Sequence, residues 1–217
     1  MADGNIILSA AKIVESDAAR RYVVVSAPGK RFSGDIKVTD LLYQASAQQE
    51  SGDLVGFEET FEKISARFLS IEREIGKNLG VQAALDEMKV AMLGGAGKDY
   101  CVSRGEFVAA HIMAAVLDVP FVDATEFVRF NEDGTLSEET FALASEVLKQ
   151  YPRAVVPGFY GLGFDGKVKT FSTMVGLCVM MVFSYGWLNW TITGIIVATT
   201  LYSGVEYFVQ NWNVIKP

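Results

Sequence analysis

Histidine occurs once in these 217 residues, at position 111, and cysteine twice, at positions 101 and 178. One imidazole and two distant thiols offer no ligand spacing for a metal, and no Cys-x-x-Cys pair exists. No Ser-His-Asp set can be built around His111, which reads as a packing or surface residue. Cysteines this sparse fit free thiols in a reducing compartment. Basic charge is scarce too: 19 Lys and Arg stand against 26 Asp and Glu, a net charge of −7. With no lysine- or arginine-rich run, a nucleic-acid partner is excluded, since phosphates need a basic surface. The amino terminus carries Asp3 and no positive segment, so a secretory signal is not expected.

The largest absence is charge beyond Lys169. Of the 45 charged residues only Glu206 and Lys216 follow it, and Thr170 to Val205 runs 36 residues without one. Soluble domains seldom concentrate apolar sequence in this way, whereas bilayers demand it. The chain therefore divides into an α/β domain over 1–165 and a membrane hairpin over 166–217. One helix of that length would extend roughly 54 Å against about 30 Å of hydrocarbon, so two spans are expected, about 171–183 and 191–209. The break falls at Tyr185 to Trp190, whose aromatic residues suit an interface. Lys167 and Lys169 precede the first span and Lys216 follows the second, which places both ends inside. The expectation is a chain anchored in the membrane through 170–209 with its soluble domain cytoplasmic. The alternative is a buried apolar hairpin.

Within the soluble part, Tyr22-Val23-Val24-Val25-Ser26 is a β-branched run ending in Ala27-Pro28-Gly29, the pattern of a buried parallel strand entering a loop. Ile7, Ala10, Ala11 and Val14 share one face of a preceding helix. Thr39-Asp40 precede Leu41-Leu42 and a helix running to about Gln49, with the Thr or the Asp as its N-cap. Phe57, Phe61, Ile64, Phe68, Ile71 and Ile75 stripe a long amphipathic helix, expected to pack on a sheet rather than form a coiled coil. A helix from Glu106 to Leu117, a strand at Phe121-Val122-Asp123, and an Asp133-Gly134 turn follow. Ser137 opens a helix to about Lys149, and Ala154-Val155-Val156 is a third strand. Alternating helices and strands predict an αβα sandwich with a largely parallel sheet. Ligands in such folds sit at the carboxyl ends of strands, near Ser26, Asp123 and Gly158.

Two glycine-rich segments fail as phosphate loops. Gly94-Gly95-Ala96-Gly97-Lys98 has Asp99 after its lysine and follows a helix, so it reads as a helix-to-helix loop. Gly161-Leu162-Gly163-Phe164-Asp165-Gly166 has no soluble helix after it and reads as a hairpin turn. Two other segments carry more. Ser26-Ala27-Pro28-Gly29-Lys30-Arg31 follows a strand, with turn amides that can meet an anion. Ser103-Arg104-Gly105-Glu106 puts a carboxylate in the first turn of a helix, where it can complement the dipole or hold an amino group.

In order, these segments resemble the catalytic domain of the aspartate kinases, within the amino acid kinase family. The resemblance covers about 2–172. It rests on Arg20-Arg21-Tyr22-Val23-Val24-Val25-Ser26-Ala27-Pro28-Gly29-Lys30-Arg31, Lys37-Val38-Thr39-Asp40-Leu41-Leu42, Asp99-Tyr100 with Ser103-Arg104-Gly105-Glu106, Phe121-Val122-Asp123-Ala124, Val156-Pro157-Gly158-Phe159-Tyr160-Gly161, and Lys167-Val168-Lys169-Thr170-Phe171-Ser172. It implies transfer of the ATP γ-phosphoryl group to the side-chain carboxylate of L-aspartate, with Mg as the metal. Glu106 would hold the substrate ammonium, Thr39 would hydrogen-bond the aspartate, and Ser26 would lie in the loop beside it. Catalytic, nucleotide-binding and metal residues remain unassigned, and an oligomer is left open.

The family pattern also sets two departures. It begins with a strand ending in a lysine-phenylalanine-glycine-glycine-serine loop, and this chain starts just beyond that point. After Phe171-Ser172 it continues with arginine-glycine-glycine-serine-aspartate and a nucleotide-binding half, where this chain has Thr173-Met174-Val175-Gly176 and the apolar tail. Groups that neutralise transferring phosphate are worth orders of magnitude in rate, so weak or absent turnover is expected. The tail itself resembles the carboxyl-terminal two spans of the phosphatidylglycerophosphate synthases, through Gly166 to Thr170 and Thr200 to Phe208. The alternatives to a kinase are thus a non-catalytic membrane-anchored chimera, or a remnant of a phosphatidyltransferase of phospholipid synthesis.

Overall fold

Residues 1–170 are described by the computed structural model. The membrane spans expected at about 171–183 and 191–209 lie outside the described residues. So does the stretch after Thr170 that resembles a phosphatidyltransferase.

The chain opens with α1 (Gly4–Glu15), whose N-cap Asp3 accepts a hydrogen bond from the Ile6 amide at 2.9 Å. The strand β1 (Tyr22–Val25) follows, then α2 (Val38–Ser51), α3 (Leu54–Ile75), α4 (Val81–Leu93) and α5 (Lys98–Leu117). A short 3-10 turn (Ala124–Glu126) leads to α6 (Glu139–Leu148) and β2 (Ala154–Pro157), and the hairpin β3 (Tyr160–Leu162) and β4 (Val168–Thr170) ends the unit. The loop at 94–97 joins two helices, and the glycines at 161–166 turn a hairpin, both as the sequence predicts.

The sheet is smaller than expected. β1 and β2 pair in parallel, Tyr22 opposite Ala154 through Val25 opposite Pro157, while β3 and β4 pair antiparallel. The predicted strand at Phe121 is extended but reduced to one parallel bridge with Val155. The sandwich with a largely parallel sheet is therefore corrected to a mainly helical α/β unit, with a parallel pair at its centre. The layering survives at β2, whose four residues are all buried. Val155 faces the large core built with α5, while Ala154 and Val156 face a second core with Leu143 and Val147 of α6. A strand covered on both faces loses polar alternation, which is why 154–156 reads as continuously apolar. β1 departs from this: Val25 is buried, but Val24 is 70% exposed, so the expected buried strand is an edge with one open face.

The stripe of α3 is buried as its spacing demands, with Phe57, Phe61, Ile64, Phe68 and Ile71 inside. Its partners are α1, α2 and α4, not a sheet. α5 runs through the centre against α2, β1 and β2 and buries most of its length. By length and composition it could cross a bilayer, but its apolar residues are those of a core helix. It starts at Lys98, eight residues before the predicted start, so Ser103 to Glu106 lie in its middle. Thr39 and Asp40 likewise sit inside the first turn of α2, whose N-cap is Lys37.

Gly161 of β3 lies against Val128. A Cβ there would stand 2.8 Å from the Val128 carbonyl oxygen and 2.7 Å from its Cβ. Gly161→Ala should therefore cost about 1–3 kcal/mol through overpacking, read as a lower urea midpoint at unchanged m-value. An unchanged midpoint would show that the hairpin is not held this closely.

Candidate functional site

Three segments that carry the predicted site residues converge on the middle of α5. The loop after β1 crosses the helix at Gly105, where a Cβ would lie 2.9 Å from the Ala27 Cβ and 3.1 Å from Leu42 Cδ1. Only glycine permits this approach. α2 begins at the same place, because the Val38 amide donates to the Pro28 carbonyl at 3.1 Å. Ser26 is exposed at the head of the loop and Thr39 is half-buried in the first turn of α2. Their side chains make no hydrogen bond among the described residues, so both are free to meet a ligand.

Glu106 is different. It is 4% exposed, and the Ala27 amide donates to its Oε1 at 3.3 Å. Its Oε2 is buried with no hydrogen-bond partner among the described residues. Burial pushes its pKa from the ordinary 4.5 up to about 7, against the Ala27 amide and the Arg104 guanidinium, which favour the charged form. A buried oxygen left without a donor costs about 1–3 kcal/mol, so a group retained in this state marks a place where a ligand can supply the missing donor. The sequence places Glu106 in the first turn of a helix; the structure puts it in the middle of α5, away from the helix terminus.

Arg104, Tyr160 and Asp123 complete the surroundings. The Arg104 guanidinium lies 4.3 Å from the ring centroids of both Tyr100 and Phe107 and 5.5 Å from that of Tyr160. The Tyr160 hydroxyl donates to Asp123 Oδ2 at 3.3 Å, and burial drives its pKa upward. Asp123 and Gly158 thus stand at the carboxyl ends of the extended segments, as the fold rule anticipates. The spacing of Tyr100 and Phe107, four before and three after Arg104, was the available signal for this aromatic cage. His111 packs face to face on Phe121 with centroids 3.7 Å apart, a surface packing role.

A cleft of about 890 Å³ opens elsewhere, lined by Arg31, Asp35, Glu58, Arg67 and Lys89 among others. Its charges largely satisfy one another, as Lys89 pairs with Glu58 and Arg67 with Asp35. Ser26, Thr39 and Glu106 are not among its lining residues. No group of three His, Cys, Asp or Glu residues stands together to hold a metal among the described residues.

No protein-family model matches the chain. Aspartokinase 3 of Bacillus subtilis (strain 168) is 31% identical over 177 residues, covering 74% of this chain and 38% of that one. Over that stretch the chain is homologous in sequence to an aspartokinase. The aspartate kinase of Clostridium acetobutylicum, described as an allosteric enzyme, superimposes with a TM-score of 0.77 at 36% identity, over 83% of this chain and 42% of that one. Aspartokinase III of E. coli, solved in complex with aspartate and ADP, shares the fold at a TM-score of 0.62 and 23% identity, over 78% of this chain and 40% of its own. The homologue thus has an aspartate-kinase-like mixed α/β fold, and spans about two fifths of the length of these relatives.

Proposed function

We propose that this chain binds L-aspartate at Glu106, as the substrate half of an aspartate kinase site. The observation that carries this is the buried, unpartnered Oε2 of Glu106, beside a loop and a helix start that bring Ser26 and Thr39 close. The aspartate ammonium donates to Oε2 and supplies the missing hydrogen bond. Thr39 and Ser26, both without internal partners, contact the rest of the molecule. The reaction is attack by the aspartate side-chain carboxylate on the γ-phosphorus of ATP; a new P–O bond forms, the bond to ADP breaks, and an acyl phosphate results.

Magnesium enters through the family chemistry. Among the described residues no group of three His, Cys, Asp or Glu side chains stands together to hold it. Turnover is expected to be weak, because Thr173-Met174-Val175-Gly176 stand where the aspartate kinases carry an arginine-glycine-glycine-serine-aspartate substrate loop. A membrane anchor through 170–209, with the domain on the cytoplasmic side, is proposed alongside, supported by 36 consecutive uncharged residues.

The test is calorimetric titration of the full-length protein with L-aspartate from pH 6 to pH 8. A carboxyl titrating at about 7 must ionise to hold an ammonium, so affinity should rise about tenfold across this range. Glu106→Gln should flatten the profile and weaken binding at pH 8 by about 10- to 100-fold, the worth of a hydrogen bond to a charged group. Binding that is independent of pH and of Glu106 would sink the proposal. Hydroxamate trapping of the acyl phosphate on the same samples reads turnover.

A further inference from the structure

Strand β1 pairs with β2 on one side, and no strand stands on its other side among the described residues. The ladder decides which groups face that open side. The Arg21 carbonyl accepts from the Ala154 amide at 3.0 Å, and the Val25 carbonyl from the Gly158 amide at 2.8 Å. Backbone groups alternate sides along a strand, so Arg21, Val23 and Val25 address β2. Tyr22 and Val24 therefore turn their N–H and C=O groups outward. A groove of about 530 Å³ opens beside them, lined by Val14, Ala19 and residues 20–24.

Side chains add apolar surface to these unpaired groups. Val24 is 70% exposed and Tyr22 37%, although both share the sheet face that α6 covers at Ala154 and Val156. The Tyr22 ring is already fixed, its hydroxyl donating to the Leu148 carbonyl at 2.8 Å, so little freedom is lost when a partner covers it. Proteins blunt open edges with lysine or proline, and Tyr22 to Ser26 contain neither.

We propose that this edge is a self-association surface, on which β1 of a second copy pairs antiparallel about a two-fold axis at Val23. In that register Tyr22 of each copy stands opposite Val24 of the other, and these residues exchange all their outward N–H and C=O groups. Each exposed valine gains an aromatic ring directly across the strands, a favourable cross-strand pair. Charge selects the same arrangement. Antiparallel pairing sets Arg20 and Arg21 opposite Ser26 and Val25, whereas parallel pairing would align both arginines with their own copies. A two-fold contact is closed, so it gives a dimer and not a chain of copies. The paired edge is short, and the dissociation constant is expected on the order of micromolar.

The test counts chains per particle for the full-length protein in detergent micelles, by sedimentation at about 1–100 μM. Wild type should run as two chains. Val24→Pro removes only the outward N–H, which takes no part in the ladder to β2, and should weaken the dimer at least about tenfold. Val24→Lys should do the same with the backbone untouched. Val55→Lys, at a valine of α3 that is 74% exposed, should leave the dimer intact. Register is read by crosslinking in a Cys178→Ser background, where the other thiol, Cys101, is buried. Val23→Cys should then join to itself on mild oxidation, and Val55→Cys should not. Wild type that stays single over this range overturns the proposal and leaves the edge to an extended segment of another protein. A dimer that survives both changes at Val24 also overturns it, by placing the contact elsewhere in the chain. If Val24→Pro fails to fold, Val24→Lys and the crosslinks still decide, and equal crosslinking at 23 and 55 is fatal.

Discussion

Replacing Glu106 with glutamine should make the protein less sensitive to rising pH, at the expense of its ligand. In the folded state the carboxyl titrates at about 7, against an ordinary 4.5. Between these values the folded state holds a proton that the unfolded chain has released. The linkage slope is then negative: stability from this group is full below 4.5 and is lost as pH rises through 7. Above 7 the folded protein carries an ionised carboxylate that is 4% exposed, with one of its oxygens unpartnered. The difference amounts to about 3 kcal/mol across the window. Glutamine keeps an oxygen for the Ala27 amide and never ionises. Urea unfolding at pH 4.5 and pH 8 should show wild type losing about 3 kcal/mol more than Glu106→Gln. Parallel losses in the two proteins would mean that Glu106 is solvated and ordinary, and the site would have to be sought elsewhere. A stabilising substitution that removes binding is the behaviour expected where a fold tolerates strain for function.

Much of this arrangement is legible in the sequence, for reasons particular residues make plain. Helix α3 declares itself because its apolar stripe is regular, and β2 because an unbroken apolar run must be covered on both faces. The start of α5 was not legible. Lys98 to Tyr100 are polar, and the helix has no side-chain cap to announce it, so Gly105 reads as a boundary. The structure shows why a glycine is there: the loop at Ala27 passes too close for a Cβ. Glu106 is found by its motif, but its burial and its missing partner depend on the loop, α2 and α5 meeting, which is tertiary information. The size of the sheet is hidden for a similar reason. β-branched runs at Tyr22 and Phe121 specify extended chain but not how many neighbours it pairs with.

Arg67→Met should be the more damaging change to the folded state, and its effect should reach Glu106. Arg67 falls inside the apolar arc of α3, three residues after Ile64 and four before Ile71, where a surface cation does not belong. It ties three points of the loop that follows β1: Gly29, Asp35 and Ile36. Methionine fills the space but removes the donor to the Gly29 and Ile36 carbonyls. Asp35 is spared part of the loss, since Arg31 donates to both its oxygens at 2.9 and 3.1 Å and holds its carboxyl well below the usual range. The expected cost is therefore near the lower end for a broken buried pair, about 3 kcal/mol, read from urea unfolding. Lys63→Met, an exposed cation on the same helix, should change stability by less than about 0.5 kcal/mol. The loop released from Gly29 onward begins at Ser26 and Ala27, whose amide is the donor to Glu106. Without that amide the carboxyl loses a group favouring ionisation, so the pH at which aspartate binding rises should move above 7. A variant that is destabilised yet binds with an unshifted pH profile would show that the Arg67 tether and the Glu106 site are independent.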